Sequence, residues 1–184
     1  MGYLQEVDLD ERKFAPFAQW MDMFGFIPNL FRAQTLRPDI IEAEAALAGT
    51  ILLKEGALSR ARKEYVFLVC SAANLSTYCV TAHCEIIRSL GLKGPEPEQI
   101  AVDHHETDLP AADKALLDFV LKLTRQGKKV GHTDFDALRA HGFTDPQILE
   151  AVVVTALAKF ANLLSHGLGA TPDFEPKALP AVGE

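Results

Sequence analysis

Apolar residues recur along this chain at intervals of three and four, strict alternation is missing, and glycine or proline falls mainly between the periodic stretches. That is the spacing of helices that each bury one face, so the pattern predicts an all-α fold. A first helix is expected over residues 11–23, with Gly25 and Pro28 breaking the chain before a short second helix over 29–35. Pro38 opens the third, where Ile40, Ala43, Leu47, Ala48, Ile51 and Leu52 make a broad apolar stripe running to residue 53. Gly56 ends it, and Ser59 is a good N-cap for the next helix, which carries Glu64.

Asn74 and Ser76 interrupt that helix, and residues 77–90 form another, closed by Gly91. Further helices are expected over 95–102, over 110–126 and over 133–140, the last with Thr133 as its N-cap. Thr144 with Asp145 and Pro146 starts the final one, over 147–164. Its stretch from Ala151 to Ala158 is apolar on nearly every side, which implies either burial all round or a subunit interface. The tail from Thr171, with Pro172, Pro176 and Pro180, reads as an irregular arm, and no linker divides the 184 residues into two domains.

Composition narrows the function by exclusion. A formal charge of -7 with scattered basic residues argues against a nucleic-acid surface. No apolar run approaches the ~20 residues that cross a bilayer, and the acidic N-terminus lacks the pattern of a signal peptide, so no membrane association and a cytoplasmic location are expected. Three cysteines fit free thiols in a reducing compartment better than a disulfide framework.

One turn of helix separates Cys79 from His83, which puts thiol and imidazole on the same face. An imidazole, together with the free amides of a helix start, can convert a thiol to the nucleophilic thiolate. The same two residues also suit a buried thiol beside a hydrogen-bonded core histidine. Cys84 lies five residues from Cys79, about 140° round an ideal helix, and is a poor partner for a disulfide with it. Cys70 is expected to be buried. His104, His105, Glu106 and Asp108 are of metal-ligating types, but adjacent side chains point different ways and a solvated turn is the expected reading. Cys79, His83 and Glu64 could converge as an open zinc site, yet neither a metal nor another cofactor is expected. His166 is placed to meet the last carbonyls of the final helix. Trp20, Phe24, Phe26 and Phe31 are expected to pack in the core or an interface, or to line an apolar channel.

Glu64, eleven residues, Ser76, two residues, Cys79, three residues, His83, with Asn74 before Ser76 and Tyr78 before Cys79: this pattern resembles the alkylhydroperoxidase D-like branch of the carboxymuconolactone decarboxylase superfamily. The segment from Gly25 to Phe31, then Pro38, Arg62 with Glu64, and the Leu168, Gly169, Thr171, Pro172 ending also look like its longer peroxidase-related members, over roughly residues 20–172. The resemblance implies an all-helical trimer or hexamer that reduces alkylhydroperoxides. It implies Cys79 as the peroxidatic thiol, Glu64 and His83 as the proton relay, and Tyr78 where some members carry a second histidine. Ser76 stands where the family has its resolving cysteine, so any cycle would be one-cysteine, with Ser76 hydrogen-bonding the thiolate and an external thiol as reductant. The rival expectations are a lactone decarboxylase-like enzyme, in which His83 and Glu64 handle protons and the thiol is incidental, and a non-catalytic oligomeric binding protein.

Overall fold

The helix that carries Glu64 is the one around which the others pack. In the computed structural model, which describes residues 2–91 and 94–177, the chain forms α1 (Ala15–Phe24), α2 (Asn29–Arg32), α3 (Pro38–Ala48), α4 (Arg60–Ala73), α5 (Thr77–Ser89), α6 (Pro97–Asp103), α7 (Ala111–Gln126), α8 (His132–Ala140) and α9 (Asp145–Leu168). No strand occurs among the described residues, and the fold is all-α. Ser59 caps α4 by accepting the Arg62 amide at 3.4 Å, and every residue from Lys63 to Ser71 is buried. Helices α5, α6, α7 and α9 surround it. Val66 and Leu68 of α4 and Ala151, Val154 and Ala158 of α9 belong to one apolar core and are all fully buried.

Burying a whole helix turn by turn means burying whatever charges it carries, and Lys63 and Glu64 are both 0% exposed. Lys63 answers with three contacts. Its Nζ donates to the Ile51 and Lys54 carbonyls at 3.0 and 2.9 Å and pairs with Glu150 at 2.9 Å. Glu150, on α9, also accepts the Leu58 amide, and any side chain on Gly56 would collide with its carboxylate. This knot fixes the 54–59 loop against the starts of α4 and α9.

The segment expected as one helix over 38–53 is instead α3 followed by a π-helical turn at Gly49–Leu53. The Lys63 ammonium takes a carbonyl within and another just after that turn, a tertiary constraint that the local pattern does not carry. Helix α1 begins at Ala15, later than expected, with Pro16 in its first turn, where a missing amide costs nothing. Helix α2 ends at Arg32, earlier than expected. Thr133 is not the cap of α8. Gly131 is, and its amide donates to Asp134 at 2.8 Å. Helix α9 extends to 24 residues and, by length and apolar composition, could cross a membrane, although half of its most apolar window is buried inside the protein. Its outer stripe of Leu149, Phe160 and Leu163 is exposed. The expected arm over 173–184 is irregular as far as Lys177; its remainder lies outside the described residues.

Removing one member of a buried ion pair leaves the other charge without compensation, at a cost of about 3–5 kcal/mol. Glu150→Ala is therefore expected to lower the stability to urea unfolding by about that amount, and a loss below about 1 kcal/mol would contradict the role given to the pair.

Candidate functional site

The turn between α4 and α5 sets the register of everything in the site. Asn74 closes α4, Leu75 takes a left-handed φ of 56°, and the Ser76 amide reaches back to the Ser71 carbonyl at 3.0 Å. A left-handed leucine is strained, and the surrounding hydrogen bonds hold it. Asn74 donates through Nδ2 to Asn162 of α9 at 2.8 Å, and Asn162 donates to Ser71 at 3.0 Å. Helix α5 then starts at Thr77, so Cys79 falls in its first turn and His83 one turn later.

Glu64 reaches His83 without an intervening water. Its Oε2 lies 2.6 Å from His83 Nδ1, and its Oε1 accepts from Arg60 Nε at 2.6 Å. Burial by itself would raise the Glu64 carboxyl, but the neighbouring His83 ring and the Arg60 guanidinium outweigh it and hold the group below the usual carboxylate range. The His83 ring stacks on Phe67 with centroids 3.7 Å apart, so one carboxylate and one aromatic face fix its orientation.

Cys79 is only 2% exposed and sits against hydroxyl and amide groups rather than cations. Burial pushes its thiol above the ordinary value, hydrogen bonds from Ser76, Asn162 and Ser165 draw it part of the way back, and Glu44 pushes it up again. Burial thus works against the activation that a helix start and an imidazole can offer a thiol. Ser76 is the first of these polar neighbours to lower the thiol. Its hydroxyl also lies 3.1 Å from that of Ser165, which donates to the Asn162 carbonyl at 2.9 Å.

Tyr78 ties three segments together beside the site. Its hydroxyl accepts the Leu30 amide at 3.1 Å and donates to Asp173 at 2.6 Å, tying α2 and the C-terminal segment to α5. Burial and Asp173 raise its phenol. Behind these ties lies a cavity of about 570 Å³ whose wall includes Cys79, His83, Glu44 and Tyr78. Trp20, Phe24, Phe26 and Phe31 all line it, as does Phe174. Trp20 and Phe31 stack at 3.5 Å, and Phe26 meets Phe174 edge-on at 5.7 Å.

Sequence reasoning missed Glu44, Asn162 and Ser165. Glu44 is buried, bonded to Gln34 Nε2 at 2.9 Å, and raised by that burial. Asn162 and Ser165 had a visible signal, polar side chains in an otherwise apolar helix. Cys70 is fully buried, and its thiol is raised by burial. Cys84 is pushed up to about 12 by burial and by Glu98, and it borders a different cavity. His104 and His105 differ from expectation: their Nε2 atoms converge on Asp118 Oδ1 at 3.0 and 2.8 Å. Among the described residues, the three-ligand grouping of His, Cys, Asp and Glu is this one, not Cys79 with His83 and Glu64. His166 is exposed in the last turn of α9.

Alkylation of Cys79 by iodoacetamide, read by peptide mass, is expected to keep rising with pH beyond about 8.5, the value of a free thiol. Replacement Glu44→Gln removes a like charge and moves the profile to lower pH. A plateau reached below neutral pH would contradict this account of the thiol.

The fold has counterparts among solved structures. A crystal structure of an alkylhydroperoxidase AhpD core, an uncharacterized peroxidase-related protein from Ralstonia eutropha, is 32% identical and matches with a TM-score of 0.87 over 94% of this chain and 92% of that one. An uncharacterized peroxidase-related protein from Silicibacter is 26% identical, with a TM-score of 0.85 over 93% and 90% of the two chains. The debrominase Bmp8, in complex with 2,3,4-tribromopyrrole, shares the fold at 16% identity, with a TM-score of 0.79 over 93% and 91%. No protein-family profile and no curated protein matches the sequence. With nearly its whole length matched to the first of these structures at that identity, the chain belongs to the AhpD-like family of peroxidase-related proteins.

Proposed function

We propose that this protein reduces organic hydroperoxides by a one-cysteine mechanism at Cys79. The observation that carries the reading is that the Cys79 thiol and the Glu64-held His83 ring border one aromatic cavity. Such a space suits a small molecule with an apolar or aromatic body and a single reactive polar end.

Because Glu64 occupies Nδ1, His83 has Nε2 left for a group in the cavity. His83 takes the Cys79 proton as the sulfur attacks the terminal oxygen of R–O–O–H. The S–O bond forms, the O–O bond breaks, and the same proton passes from His83 to the departing alkoxide. The products are R–OH and a Cys79 sulfenic acid, sulfur being oxidised by two electrons and the peroxide reduced by two. Glu64 stabilises the ring while it carries the extra proton. This shuttle removes the need for a resting thiolate, in keeping with the raised thiol.

Return of the enzyme needs two external thiols. The first condenses with the sulfenic acid, releasing water and forming a mixed disulfide, and the second displaces it to regenerate Cys79. Ser76 cannot take the resolving part; it orients the sulfur by its hydrogen bond. The exposed Leu149, Phe160 and Leu163 stripe of α9 favours a homo-oligomer, a trimer or hexamer, and a monomeric mass by light scattering would contradict it. A reducing, cytoplasmic setting fits a chain whose three cysteines are all free; cell fractionation tests it.

Reduced protein given one equivalent of cumene hydroperoxide in the presence of a sulfenic-acid trap is expected to gain one trap mass on Cys79 and none after Cys79→Ser. In Ser76→Cys, the trap adduct is replaced by a loss of two hydrogens as an intramolecular disulfide to Cys79 forms. Absence of any rapid adduct in folded, reduced wild-type protein would reject the proposal.

A further inference from the structure

A second cluster of reactive side chains lies away from the thiol. We propose that His104, His105 and Asp118 bind one divalent transition-metal ion of borderline softness, the class that includes zinc and cobalt. Their three ligating atoms lie within 4.8 Å of one another, with both imidazole Nε2 atoms aimed at the same carboxylate oxygen at 3.0 and 2.8 Å. In a tetrahedral site with bonds of about 2.0–2.1 Å, neighbouring donors stand about 3.3–3.4 Å apart, so each imidazole–carboxylate separation needs to open by only about half an ångström.

Adjacent histidines converge here because they occupy a 3-10 turn, His104–Glu106, rather than an α-helix. The two rings stand 4.5 Å apart at 34°. The turn is anchored on several sides. Asp103 accepts the His105 amide at 2.9 Å, Thr107 donates to the His104 carbonyl at 2.7 Å, and Lys114 donates to the His105 carbonyl at 2.8 Å. Asp118 comes from the facing helix α7. His104 is 3% exposed, whereas the side chains of His105 and Asp118 are about half exposed, so the ligands are held from behind and reachable from solvent.

All three residues border a cavity of about 640 Å³ that does not include Cys79 or His83. Two imidazoles and a carboxylate form a donor set for zinc, cobalt, nickel or ferrous iron, and three protein ligands leave a coordination position for water or a small anion. The site is independent of the peroxide reading, and either can fail without the other.

The test is calorimetric titration of the metal-stripped protein with zinc chloride, together with the visible spectrum of the cobalt-loaded form. One ion per chain is expected, with at least a tenfold loss of affinity in His105→Ala and in Asp118→Asn, each with an unchanged circular dichroism spectrum, and no loss in Cys79→Ser. The proposal is overturned by absence of stoichiometric binding, by affinity within threefold of wild type in either cluster variant, or by thiolate-to-cobalt charge-transfer bands that vanish in Cys79→Ser.

Discussion

Two adjacent charges, Lys63 and Glu64, lie at zero exposure on the central helix, and the fold is arranged so that neither is left alone. A buried charge without a partner is far costlier than one that is paired and hydrogen-bonded. Successive residues on a helix point about 100° apart, so the two cannot share a partner. Lys63 therefore draws in the π-helical turn and Glu150 of α9, while Glu64 draws in Arg60 and, across the helix crossing, His83 of α5. Structure and candidate chemistry thus rest on the same helix turn. The bond that satisfies Glu64 is also the bond that orients the imidazole.

The site combines an apolar cavity with a polar floor. Ser71, Asn74, Ser76, Asn162 and Ser165 form a hydrogen-bonded group beneath Cys79, which supplies dipoles without supplying positive charge. Such a floor supports sulfur in either protonation state but does not ionise it. In the proposed reaction, proton removal falls to His83, which borders the same cavity. A serine at position 76 fits this polar floor, its hydroxyl 3.1 Å from that of Ser165. The debrominase that shares this fold at 16% identity shows that the scaffold serves more than one chemistry, so the residues of the site have to carry the functional argument.

Most of the helical layout was legible in the sequence because caps and breaks there are local: Ser59, Asn74, Gly91 and Pro146 act on their immediate neighbours. The direct Glu64–His83 contact depends on how two helices cross, and spacing could propose it without establishing it. Long-range demands explain the misses. The π turn at Gly49 answers a lysine ten or more residues away, and Glu44 reaches the cavity through the placement of α3, which packs against α1. Convergence of His104 and His105 depends on a 3-10 turn meeting an aspartate from another helix, where α-helical reasoning gave divergence. For Cys79, helix position and a nearby imidazole pointed to activation, whereas burial, which spacing does not reveal, pushes the thiol the other way.

The most direct test of the central claim is the single-turnover rate at which cumene hydroperoxide oxidises Cys79, followed in stopped flow by fluorescence of Trp20, which lines the same cavity. If His83 shuttles the proton, His83→Gln slows that rate by about 10²-fold or more, the lower bound of general acid–base assistance, and Glu64→Gln slows it in the same direction. A His83→Gln protein that remains folded and oxidises as fast as the wild type would contradict the account.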